Sequence, residues 1–146
     1  MSEIEKSLED VYIFHLEKAY KQFKKVKAGF FKKVGIDMTS DQWILLKSIS
    51  EEEGINQKAL AKKCYKEPAS VTRILDILER KGWVERRSVL GDRRSYELHA
   101  TESGKALVEK VLPMAVELRT QGVAGLTEEE VEQFIRALKL IYTNFS

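Results

Sequence analysis

Apolar residues recur at Leu8, Tyr12, Leu16, Ala19, Phe23, Val26, Phe30 and Val34, three or four positions apart. That spacing predicts one face of a long helix over residues 7–34, closed by Gly35. Six lysines (Lys18, Lys21, Lys24, Lys25, Lys32, Lys33) fall mostly off the stripe. A helix of this length exceeds what a small domain needs, so part of its apolar face is expected to lie against a partner chain.

Thr39 followed by Gln42 fits a capping box, in which each residue satisfies a free backbone donor of the other. It opens a short helix carrying Trp43, Ile44, Leu45, Leu46 and Ile49 and ending near Gly54. Asn56 caps a second short helix from Gln57 to about Cys64, with Leu60, Ala61 and Cys64 inward. Pro68 suits the first turn of a third, because the donor it lacks is unpaired there anyway. This helix buries Val71, Ile74, Leu75 and Leu78 and stops at Gly82. After Gly82 the period changes to two. Val84, Arg86 and Ser88 alternate with Glu85, Arg87 and Val89, and Arg94, Tyr96 and Leu98 alternate with Ser95, Glu97 and His99. With Gly91-Asp92 between them these runs read as an antiparallel hairpin. Thr101 then caps a helix reaching about Gly122, with Pro113 expected to bend it. A second capping box, Thr127 to Glu130, opens a last helix through Val131, Phe134, Ile135, Leu138, Ile141 and Tyr142.

Composition narrows the classes. At 146 residues and 43% hydrophobic content, one cored domain with extensions is expected. No apolar run of about eighteen residues exists to span a bilayer. The acidic start MSEIEKSLED resembles neither a secretory signal nor a transit peptide, so the expected location is the cytoplasm. One cysteine excludes an internal disulfide.

The formal charge is only +2, but it is unevenly spread. Residues 56–97 hold 11 lysines and arginines against 6 acids, a net of +5 that leaves −3 for the rest. A basic middle between acidic flanks fits a polyanion-binding module on a separate scaffold.

Three short helices followed by a basic hairpin is the order of a winged helix-turn-helix: mainly α with a small β-hairpin wing (α+β). In such modules the third helix, here residues 68–81, enters the DNA major groove, and the wing, residues 84–99, reaches the adjacent backbone or minor groove. Ala69, Ser70, Thr72 and Arg73 at the start of that helix are the base-contact candidates. Arg73 has the geometry for a bidentate contact to guanine. Gln57, Lys58, Lys62 and Lys66 are phosphate candidates, each weighed against an ordinary exposed side chain.

The run from Thr39 to Gly104 resembles the multiple-antibiotic-resistance regulator (MarR) family of bacterial transcription regulators. The marks are Gln42-Trp43, Val71-Thr72-Arg73, Gly82, Arg86 and Asp92-Arg93-Arg94 followed by Thr101 and Gly104. Tyr65, where the family often has a small turn residue, and Ala100, where it often has leucine, depart from the pattern. The resemblance implies an obligate homodimer whose N- and C-terminal helices (1–35 plus 101–146) form the dimerisation platform around a DNA-binding module at 39–100. The two recognition helices would enter successive major grooves of a near-palindromic operator, about 34–36 Å apart. It also implies that Arg93 and Arg94 arm the wing, with Arg94 in the minor groove, and that Asp92 holds the wing by pairing with Arg86 or Arg94. The expected function is a repressor released by a small, aromatic effector. Tyr12, Phe30, Phe31 and Trp43 are the pocket candidates, against a simple core role.

Other readings are weaker. Cys64 is in phase with Leu60 and is expected as a small core residue in preference to a redox sensor. His15 and His99 lie apart with no ligand cluster, so neither a metal nor a cofactor is expected. No phosphate loop or nucleophile–base set points to an enzyme. The competing class is a winged-helix module that binds another protein without DNA; the basic helix-plus-wing surface argues against it.

Overall fold

In this computed structural model each helix start after the first, which opens at Val11 with no side-chain cap, coincides with a side chain that satisfies it or a residue that needs no satisfying. The structure describes residues 7–146, except the side chains of residues 92–94. A single 3-10 turn at Leu8–Asp10 precedes α1 (Tyr12–Lys33), so the first helix begins later than its apolar stripe suggests. Then come α2 (Ser40–Glu51), α3 (Gln57–Lys63), α4 (Pro68–Arg80), β1 (Val84–Val89), β2 (Asp92–Ala100), α5 (Glu102–Gly122) and α6 (Glu128–Asn144). Both capping boxes form: Thr39 with Gln42 on α2, and Thr127 with Glu130 on α6. Asn56 accepts the Ala59 N–H at 2.8 Å, and Pro68 occupies the first turn of α4. The result is mainly helical with one two-stranded antiparallel sheet, the winged helix-turn-helix order.

The chain divides into two compact units between Val111 and Leu112. The first contains the core. Leu45, Leu46 and Ile49 of α2, Leu60 of α3, Val71, Leu75 and Leu78 of α4 and Leu98 of β2 are fully buried. Hydrophobic burial of this kind, about 1.5–3 kcal/mol per large side chain, is what assembles the three helices and the hairpin root. The α1 stripe behaves differently. Tyr12, Val26 and Val34 are exposed, while Lys27 and Phe31 are buried. In the second unit α6 buries none of its residues, and Phe134, Ile135, Leu140 and Tyr142 are exposed.

Two local details differ from expectation. The hairpin turn is Leu90-Gly91, not Gly91-Asp92: Gly91 takes the second turn position with φ of 85°, and Asp92 already belongs to β2. Pairing runs from Val84↔Ala100 to Ser88↔Tyr96 and then shifts, so that Val89 faces Asp92. The α3 helix stops one residue before Cys64, which is half-buried with its thiol 3.3 Å from the Ser48 hydroxyl. Tyr65 follows in the left-handed region with φ of 53°, a conformation costing about 1–2 kcal/mol for a residue with a Cβ. That is the physical content of its departure from a small turn residue.

Candidate nucleic-acid interface

The α4 helix separates its two faces sharply. Val71, Leu75 and Leu78 are buried, which turns Ala69, Thr72 and Arg73 outward into exposure and leaves Ser70 half-buried. The four base-contact candidates therefore share the first turns of one helix. They are also pre-arranged by hydrogen bonds. The Thr72 hydroxyl donates to the Pro68 carbonyl at 3.0 Å and accepts from Gln57 Nε2 at 2.5 Å. An Arg73 guanidinium nitrogen donates to Ser70 Oγ at 3.2 Å, leaving most of its five donors unused.

The phosphate candidates divide. Lys58 and Lys62 are exposed and pair with no carboxylate among the described residues. Lys66 is committed to Asp41 at 2.7 Å, and Gln57 is tied to Thr72. Lys63, beside them, lies 3.5 Å from Glu51. The hydrogen bond from Lys47, with the charges of Lys47 and Lys63, outweighs partial burial and holds the Glu51 carboxyl below the usual carboxylate range.

The wing is anchored at its root. Gly54 N–H donates to Leu98 O at 2.8 Å and Leu98 N–H to Ile55 O at 2.9 Å, adding a backbone bridge beside β2. Glu53 accepts the Ala100 N–H at 3.2 Å and lies 3.0 Å from His99 Nδ1, while His99 Nε2 is 3.3 Å from Glu97. Arg86 of β1 bonds Asp76 of α4 at 3.0 Å and lies 3.5 Å from Glu79. Thus one wing arginine meets both acids of α4, and hairpin and helix are fastened together. The side chains of Asp92, Arg93 and Arg94 lie outside the described residues. For the expected clamp, the structure therefore places Arg86 alone, against α4.

Sequence reasoning missed Tyr96. Exposed on β2, it lines a groove of about 450 Å³ with Asn56, Gln57, Lys58, Pro68 and Ser95, between the starts of α3 and α4 and the wing. Its signal was present: it falls in the period-two run of the basic hairpin, before Leu98. Of the four pocket aromatics, Phe31 lines a cavity of about 360 Å³ with Ala28, Lys32 and the connector Gly35–Met38. Trp43 is a buried core residue, Phe30 is half-buried and Tyr12 is exposed; none of the three lines that cavity. Among the described residues no cluster of histidine, cysteine and acid side chains is built to hold a metal, and no helix is long and apolar enough to cross a membrane.

The MarR family model matches residues 38–96, the helix-turn-helix and most of the wing. Over that segment the sequence is similar to the MarR family, and the fold is that of MarR-family winged-helix structures. Solved structures of the same fold cover nearly its whole length. S. aureus MepR, in a complex with DNA, is 25% identical over 92% of this chain and 98% of that one, with a TM-score of 0.83. A mutant E. coli MarR complexed with operator DNA is 25% identical over 94% and 99%, with a TM-score of 0.81. PcaV from Streptomyces coelicolor, in complex with its natural ligand, shares the fold at 14% identity, covering 100% of both chains with a TM-score of 0.85. MarR-family proteins are transcription regulators that bind DNA, and this is not an enzyme family.

Proposed function

We propose that this chain is a homodimeric, sequence-specific DNA-binding regulator, a repressor that a small aromatic ligand releases from a near-palindromic operator. The observation that carries the reading is the exposed set Ala69, Thr72 and Arg73 on the first turns of α4, beside a hairpin fastened to that helix through Arg86. Segments 1–35 and 101–146 serve as the dimerisation platform, which accounts for the exposed stripes on α1 and α6. Arg73 reads a guanine, the Thr72 methyl meets a thymine methyl, and Lys58 and Lys62 neutralise phosphates. Arg93 and Arg94 arm the wing, and Asp92 steadies it. The DNA complexes of MepR and MarR and the ligand-bound form of PcaV support the choice of partners. The effector site is the cavity lined by Phe31.

A gel-shift or fluorescence titration against duplexes from the gene's own upstream region tests the reading. Wild type should bind one fragment tightly, with log K falling by about 0.9 per phosphate neutralised for each log unit of salt. Arg94→Ala should weaken all duplexes and reduce that salt slope by about one. Undiminished binding by this variant removes Arg94 from the interface. Arg73→Ala should instead cost about 1–3 kcal/mol on the best sequence and little on a scrambled one. Unchanged discrimination removes Arg73 from the readout. A wild-type protein that shifts no fragment favours a protein-binding winged helix.

A further inference from the structure

The C-terminal end of α4, opposite its base-reading end, is held by an unusual convergence on one cation. Lys81 caps the helix, its N–H bonded to Ile77 O at 2.9 Å. Its ammonium donates to the Asp37 carbonyl at 2.5 Å and to Gln42 Oε1 at 3.2 Å, lies 3.4 Å from the Asp37 carboxylate and sits 4.9 Å from the centre of the Trp83 ring. An ammonium has three donors; two go to the Asp37 carbonyl and Gln42, with the Asp37 carboxylate and the aromatic face alongside. The Asp37 carboxylate is fully exposed and adds little. The grip comes from the backbone carbonyl, the ring and the buried Gln42 amide, whose oxygen also accepts the Thr39 N–H. The α2 capping box is thus also a fastening for α4.

The next two residues are gripped from the other side. Thr101 donates its hydroxyl to Gly82 O at 2.6 Å and its N–H to Trp83 O at 3.0 Å. The connector from α1 and the start of α5 therefore meet on Lys81, Gly82 and Trp83. At about 1.5 Å per residue, the 13-residue α4 puts its first turn about 18 Å from this anchor, so a tilt of about 5° there displaces the reading end by about 1.5 Å.

We propose that Lys81 is a positioning residue for DNA reading, which sets the direction of α4 by tying its far end to the α1–α2 connector and to Trp83. This rests on the DNA-binding reading above. With two of its donors engaged internally and its side chain only 24% exposed, Lys81 does not act as a phosphate contact.

The test compares wild type, Lys81→Met and Lys81→Arg on a duplex recovered by the wild-type protein from a randomised library, and on a scrambled duplex, well below each protein's melting temperature. Lys81→Met should lose about tenfold on the selected duplex, the size of one misaligned base contact. Its binding to the scrambled duplex and its salt slope should not change, and Lys81→Arg, which keeps a cation on the same acceptors, should recover most of the loss. Equal affinity of Lys81→Met and wild type for the selected duplex overturns the assignment. So does a parallel loss on both duplexes with a salt slope lower by about one, which marks a direct phosphate contact. If Lys81→Met does not fold, Trp83→Leu, which removes the aromatic face alone, is judged by the same comparison. A wild-type protein that enriches no duplex overturns the DNA-binding reading and this assignment together.

Discussion

Replacing Gly104 by alanine should destabilise the protein by about 3 kcal/mol net, a steric overpacking effect at the upper end of the usual range. A Cβ at this position would stand 2.0 Å from the Trp83 carbonyl oxygen, 2.9 Å from its carbon and 3.2 Å from Trp83 Cα. All three are backbone atoms, so no rotamer change relieves the clash; α5 or the α4–β1 junction must move. Either movement strains the bonds that fasten them, from Thr101 N–H to Trp83 O and from Gly104 N–H to Thr101 Oγ1, both 3.0 Å. Alanine ordinarily improves a helix interior over glycine by about 1 kcal/mol, and here that gain is outweighed. For a chain of this size the melting temperature should fall by roughly 6–12 °C. Thermal scans of both proteins at equal concentration decide the matter, since any self-association makes the midpoint concentration-dependent. An unchanged midpoint means that the Gly104–Trp83 approach does not constrain the fold.

The same glycine shows what was legible in the sequence. Gly104 stood out through resemblance, but nothing in the local pattern said that a backbone carbonyl from residue 83 would press on it. What could be read was local chemistry. The Thr39–Gln42 and Thr127–Glu130 boxes, the Asn56 cap, Pro68 and the alternation after Gly82 each use partners a few residues apart, and all formed. Of the inward set Val71, Ile74, Leu75 and Leu78 that followed from a period of 3.6, all but the half-buried Ile74 are buried, and its complement gave the outward set on α4. Long-range polar contacts have no period. Lys81 meets Asp37 and Gln42 across 44 and 39 residues, and Lys66 meets Asp41 across 25. Arg86 was assigned to the wing, yet its described partners lie on α4, because a strand packed against a helix can reach either neighbour. The pocket was the least legible part. Aromatic side chains mark a core and a ligand cavity equally well, and only Phe31 of four candidates lines the cavity beside the connector.

A double substitution, Phe134→Glu with Ile135→Glu, should convert the proposed dimer into monomers. In the protomer these side chains are 53% and 46% exposed, so the carboxylates cost the single chain little. Yet α6 buries none of its 17 residues, and a solitary helix of that length is marginal in water. Its capping box secures one end; in the proposed dimer a second copy of the chain would supply the apolar cover. In a two-fold interface each substitution occurs twice. Because each of the two phenylalanines and two isoleucines has only about half its surface left to bury, losing that burial removes roughly 3–6 kcal/mol from association before any charge repulsion is counted. At 1.4 kcal/mol per tenfold, that weakens a nanomolar dimer to between about 0.1 micromolar and tens of micromolar. Sedimentation should then show a monomer, with any loss of helix content by circular dichroism confined to the share of α6. DNA affinity should fall by at least about 100-fold, because one recognition helix no longer brings the other to its half-site. A double variant that still sediments as a dimer places the interface elsewhere. A monomeric wild type that binds DNA as tightly as the variant removes the need for a second copy.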